Sequence, residues 1–141
     1  NVGLQRIALW SRSDRNASRV KMWTKIFFAI LRETGQLHRP IHVHCFSGTP
    51  ERANRWIKVC PNVILGFTAT KDLATIRAIR KIPERNFALE TQSPLVPLYR
   101  SGTTFPWYLP VVAEQAASIR EESIKTVLSH STDNIRRVYS L

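Results

Sequence analysis

Two stretches concentrate the side chains able to do chemistry: His42-Val43-His44-Cys45-Phe46-Ser47-Gly48 and Leu89-Glu90-Thr91-Gln92-Ser93-Pro94. Each reads as an apolar strand that ends abruptly in polar or metal-ligating residues. Along a strand, residues two apart project to the same side, so His42 and His44 point together. Neutral imidazole nitrogens suit zinc and similar divalent ions. The same pair also reads as histidines hydrogen-bonded beside a turn. Glu90 and Gln92 repeat the spacing with a carboxylate and an amide. Glu90 reads either as part of the chemistry or as a buried, hydrogen-bonded structural carboxylate.

In parallel α/β proteins, chemistry sits where strands end and loops begin, so both stretches should face one site. The elements that place them follow from pattern. Leu4 to Trp10 reads as a strand and Ser11 to Ser18 as a loop. Val20, Trp23, Phe27, Ile30 and Leu31 lie on one stripe of a helix from Val20 to Arg32, with Gly35 just past its end. Pro40 opens a strand over Ile41 to Phe46. Thr49 and Pro50 form an N-cap and first helical residue, giving a helix to about Val59. Pro61-Asn62 is a turn, Val63 to Phe67 a strand, Lys71 to Lys81 a helix, and Asn86 to Glu90 a strand. The prolines and glycine from Ser93 to Tyr108 mark a long loop. Leu109 to Arg120, Glu122 to Ser129 and Thr132 to Tyr139 read as helices, with Thr132 as N-cap of the last.

Four βα units with strands apolar on both faces predict an α/β fold with a buried parallel sheet. Such units fit a small doubly wound sheet or half of a (β/α)8 barrel, since a whole barrel needs about 250 residues. The 141 residues read as a single domain. A Gly-rich phosphate loop is absent, which argues against nucleotide binding of that type.

Several motifs, in order, resemble the TatD family of metal-dependent deoxyribonucleases. They are His44-Cys45-Phe46-Ser47-Gly48, Pro61-Asn62-Val63-Ile64-Leu65-Gly66-Phe67-Thr68, Ile82-Pro83-Glu84-Arg85-Asn86-Phe87-Ala88-Leu89-Glu90-Thr91-Gln92-Ser93-Pro94 and Asp133-Asn134-Ile135-Arg136-Arg137-Val138-Tyr139. The resemblance covers residues 40–141 well and 1–39 weakly. His42 and the ending Val138-Tyr139-Ser140-Leu141 look most like an animal branch. It implies the C-terminal half of a TIM-type, amidohydrolase-like barrel. It also implies a divalent ion (Mg, Mn or Zn) that activates water against a phosphodiester. His44 matches the sixth-strand metal ligand of that family, with His42 beside it, and Glu90 matches a family carboxylate. Gln92 stands where the family has a metal-binding Asp, and an amide cannot serve as a base. The first-strand histidine pair and middle Glu have no counterpart. Trp10-Ser11-Arg12 is the nearest stretch to the fifth-strand His context, and no His precedes His38. The resemblance thus implies a hydrolase fragment or degenerate paralogue impaired in catalysis. The alternative is a non-catalytic nucleic-acid-binding or protein-interaction module on the same fold.

The net charge of +11, from 21 Lys and Arg against 10 Asp and Glu, favours DNA or another polyanion as partner. It is equally compatible with a basic surface that has no specific partner. Arg100, Trp107 and Tyr108, in the long loop, could hold phosphates and stack bases, or pack on their own edge of the fold. An open barrel edge could pair with another chain. No apolar run is long enough to span a bilayer. Cys45 and Cys60 are too few for a disulfide framework, and no apolar stretch that would mark a secretory signal is visible near Asn1. These features predict an intracellular protein, cytoplasmic or nuclear.

Overall fold

The computed structural model describes residues 17–93 and 105–141, with the side chains of 17–23 left aside. The sequence-predicted strand Leu4–Trp10, the stretch Trp10-Ser11-Arg12 and Arg100 lie outside the described residues.

Helix α1 (Ala17–Glu33) starts a little earlier than its periodicity predicts. Gly35 follows at φ 67, a left-handed turn that glycine adopts without strain. Strand β1 (Ile41–Val43) leads to α2 (Pro50–Val59), β2 (Val63–Phe67), α3 (Leu73–Lys81), β3 (Phe87–Leu89), α4 (Leu109–Arg120) and α5 (Ile124–Tyr139). The expected cap is present: Thr49 accepts from the Arg52 amide, and Pro50 opens α2. Asp72 caps α3 through the Ala74 and Thr75 amides.

The strands form one parallel sheet in the order β1-β2-β3. Ile41 pairs with Val63, and Leu65 with Phe87. Alternation assigns two faces. Ile41, Val43, Val63, Leu65, Phe67, Phe87 and Leu89 join Trp56, Ile79, Val112 and Ala113 in the main core. Phe27 and Phe28 of α1 pack on Trp56, with ring centroids 5.7 and 4.6 Å away. Ile64 and Ala88 point to the other face and meet Val138, Ile135 and Tyr139 of α5.

Two sequence-based boundaries are corrected. The strand predicted to run from Ile41 to Phe46 ends at Val43, because Cys45 turns left-handed at φ 49. The Phe46 amide then donates to the Gly66 carbonyl at 2.7 Å, so its ring still enters the core. The predicted break before Thr132 is absent: α5 is continuous, and its cap is Ser123, which accepts from the Thr126 amide. Ser131, at the predicted break, and Asn134, within the predicted last helix, both serve tertiary contacts. Ser131 Oγ accepts from the Leu89 amide at 2.9 Å, and Asn134 Nδ2 donates to the Phe87 carbonyl at 2.8 Å. Helix α5 thereby covers the outer edge of β3, whose backbone groups would otherwise face an unpaired margin.

A candidate metal centre at the strand ends

The carboxyl ends of β1 and β3 converge over β2. His42 leaves β1 on the face shared with Ile64 and Gly66, and is 5% exposed. His44 follows in the turn, and its ring centroid lies 3.9 Å from that of His42. Glu90 follows β3, its amide donating to the Phe67 carbonyl. His44 Nδ1 donates to Glu90 Oε2 at 2.8 Å, and His42 Nε2 lies 3.7 Å from the same oxygen. The Cys45 amide donates to Glu90 Oε1. That carboxylate, 11% exposed, is thus held on both oxygens.

Gly66 makes the convergence possible. A Cβ there would lie 2.7 Å from Glu90 Oε2 and 2.7 Å from His42 Nε2, closer than van der Waals contact allows. The sequence analysis did not single out Gly66 as a site residue. The available signal was a glycine inside an otherwise aliphatic strand, which often marks close approach. Tyr139, also not anticipated, reaches the same face, its hydroxyl 2.9 Å from His42 Nδ1.

Both strand ends turn by the same unusual step. Cys45 and Gln92 have φ of 49 and 52, a region that non-glycine residues seldom occupy and that clusters at functional sites. The turn at Gln92 brings its Nε2 to 3.4 Å from His44 Nδ1. Since the Nδ1 proton is donated to Glu90, Gln92 adds neither charge nor a strong acceptor there. The Cys45 thiol is pushed up, first by burial and then by the Glu90 charge, against a smaller opposing hydrogen bond from Thr68. It stays protonated and is no ready thiolate ligand.

His42, His44 and Glu90 can each offer a ligand atom within 4.8 Å of the other two. Two imidazoles and a carboxylate form a donor set used for zinc and other first-row ions. An ion drawing on both His44 and Glu90 would take the place of the proton that His44 Nδ1 donates to Glu90 Oε2 at 2.8 Å. The residues present therefore fit a divalent ion. An open cleft of about 450 Å³ adjoins the centre, lined by His44, Glu90, Gln92, Pro106 and Leu109 among others.

Beside the cleft-lining Pro106, Phe105 and Trp107 stack with centroids 4.4 Å apart and planes 5° from parallel, with the Tyr108 ring 6.4 Å from Phe105. Trp107 is 69% exposed rather than packed down. Among the described residues, His42, His44, Glu90 and Gln92 are brought together, while Trp107 and Tyr108 lie between the cleft-lining Pro106 and Leu109 in sequence without lining the cleft themselves.

The profile of the TatD related DNases matches residues 20–140. The chain belongs to that family. It is 28% identical over 124 residues to a metal-dependent hydrolase, YabD, of Bacillus subtilis, covering 84% of this chain and 48% of that protein. It is 27% identical over 110 residues to the human 3'-5' RNA nuclease TATDN2, covering 72% of this chain and 14% of that protein. A TatD-family hydrolase structure from Entamoeba histolytica superposes with a TM-score of 0.73 at 17% identity, over 84% of this chain and 48% of the other. The TatD homologue YJJV of Escherichia coli gives 0.65 at 15% identity, over 99% of this chain and 63% of the other. These structures share the fold, a TIM-type barrel of which this chain covers part. The chain spans about half the length of the bacterial hydrolase and a smaller share of the human protein. No helix among the described residues is long and apolar enough to cross a membrane.

Proposed function

We propose that this chain is a TatD-type hydrolase module that keeps a divalent ion at His42, His44 and Glu90 but is impaired in phosphodiester hydrolysis. The observation that carries the reading is the Glu90 carboxylate set beside both imidazoles while Gln92 supplies an amide. When bound, an ion would polarise a phosphoryl oxygen and lower the pKa of water. The chain's own residues divide the remaining tasks. His42, His44 and Glu90 supply the donor atoms, and Gly66 leaves the room they need. Gln92 cannot accept a proton from an attacking water, so the base is missing. Losing a group that positions or activates the nucleophile costs orders of magnitude in rate.

A cleaned preparation, incubated with DNA and RNA oligonucleotides and Mg, Mn or Zn, is expected to show no detectable hydrolysis. Nuclease activity that disappears in His44→Ala would overturn the impairment.

A second reading, nucleic-acid binding without catalysis, is favoured by the exposed Phe105–Trp107 stack at the cleft and by the charge of +11. Tyr108 lies next to the stack, and Arg100 precedes it in sequence, outside the described residues. Affinity for duplex DNA should then fall with salt at a log–log slope of about −0.9 per neutralised phosphate. Failure to be retained on single- or double-stranded DNA at low salt would sink it. The further alternative, a partner chain completing the barrel, has less support at β3, whose edge is covered by α5.

A further inference from the structure

We infer that Tyr139 is a positioning residue for the metal centre, its hydroxyl holding the buried His42 ring with Nε2 turned toward Glu90. The inference rests on the metal-centre reading above. His42 is clamped on several sides: its Nδ1 lies 2.9 Å from the Tyr139 hydroxyl, and its Nε2 lies 3.7 Å from Glu90 Oε2. The His44 ring covers it at 3.9 Å, and the Tyr139 ring meets it edge-on at 5.9 Å and 86°.

A neutral imidazole carries one ring proton. To ligate through Nε2, His42 must carry that proton on Nδ1 and donate it to the Tyr139 oxygen. In the other tautomer Nε2–H faces Glu90, and the Tyr139 hydroxyl donates to Nδ1. A phenol can both donate and accept, so Tyr139 serves either tautomer, and a phenylalanine ring serves neither.

The hydroxyl is held in place from far along the chain. Asn134, on the same helix, is fixed to the Phe87 carbonyl at 2.8 Å. After Tyr139 the chain turns left-handed at Ser140 (φ 55), and the Leu141 amide returns to the Arg136 carbonyl at 3.1 Å. The last turn of α5 therefore ends in a closed cap with the phenol locked inward. Groups that orient a metal-bound imidazole are commonly worth 10- to 100-fold in metal affinity.

The test compares zinc affinity by calorimetry in the parent, Tyr139→Phe and Val138→Ala. It is joined by 15N spectra of the His42 imidazole, with and without zinc. The expected result is a 10- to 100-fold weaker zinc affinity in Tyr139→Phe, with Val138→Ala close to the parent despite its lost packing. In the zinc-loaded parent, the His42 proton should sit on Nδ1. Equal affinity in Tyr139→Phe would overturn the inference, as would an equal loss in Val138→Ala, which would make Tyr139 a packing residue only. A parent that binds no zinc, or binds it undiminished after His44→Ala, would instead overturn the metal-centre reading. Should Tyr139→Phe fail to fold, the parent spectra decide alone: a zinc-loaded His42 with its proton on Nε2 rejects the inference.

Discussion

Val63, Leu65 and Phe67 leave β2 on one side, while Ile64 and Gly66 leave it on the other. The first set meets the helices α1 to α4 in a broad aliphatic and aromatic core. The second set, with Ala88, makes a shallow floor that continues into His42, Gly66 and Glu90. Both faces are buried, so a solvent-based pattern of alternating polar and apolar residues cannot distinguish them. The difference lies in side-chain size near the strand ends: large residues fill one face, whereas Gly66 and Ala88 keep space open on the other. Volume lost on the first face costs stability, whereas volume added on the second costs chemistry.

Phe67→Ala attacks the core face, where the ring is 1% exposed and stacks on Phe87 at 5.7 Å. A truncation of this kind costs about 3–5 kcal/mol. Denaturant titration should show that loss, or no cooperative transition at all. Gly66→Ala attacks the other face. Overpacking there should destabilise by about 1–3 kcal/mol, less than Phe67→Ala, yet abolish the metal-induced rise in melting temperature. A Gly66→Ala protein that responds to Mn like the parent would mean that Glu90 and His42 do not meet over that residue.

Gln92→Asp sharpens the contrast by restoring charge. A carboxylate at Gln92 would lie near His44 and Glu90. Two carboxylates so close resist joint ionisation unless a cation lies between them. Mn should therefore stabilise the variant more than the parent, by about 1.4 kcal/mol per tenfold gain in affinity once metal is in large excess. Restored hydrolysis is not expected from this change alone. Equal shifts in thermal melts would show that Gln92 and His44 do not share a site.

An effect confined to alkaline pH concerns Cys60, on the core face. Burial pushes its thiol from 9.0 up to about 11. The folded state thus favours the protonated thiol. Its contribution to stability is complete below pH 9 and is lost as pH rises through about 11. Melting curves of the parent should decline over that window more than those of Cys60→Ala, and Cys60 should resist alkylation until unfolding.

Much of the frame was legible because it is local. Thr49-Pro50 specifies a helix start from adjacent residues alone, and the aliphatic run of Val63 to Phe67 specifies a strand by its own composition. The continuity of α5 was not legible, because Ser131-Thr132 reads as a helix start until the Leu89 amide of β3 supplies the partner of Ser131. The reach of β1 was overestimated because a left-handed Cys45 leaves no compositional mark. At the site, His42, His44, Glu90 and Gln92 were visible from residue type and spacing. Gly66 and Tyr139 act across β2 and from the chain terminus, and no spacing rule connects positions 42 and 139.

The Leu89 amide has a partner only when α5 is docked, since its acceptor is Ser131 Oγ rather than another strand. Its exchange with deuterium is therefore a local clock for the seating of that helix. Amides bonded within the sheet, such as that of Glu90, should report the opening of the sheet itself. Undocking of α5 alone would release the Leu89 proton and withdraw Tyr139 from His42 in the same event, so a single slow amide would reveal how often the centre loses its support.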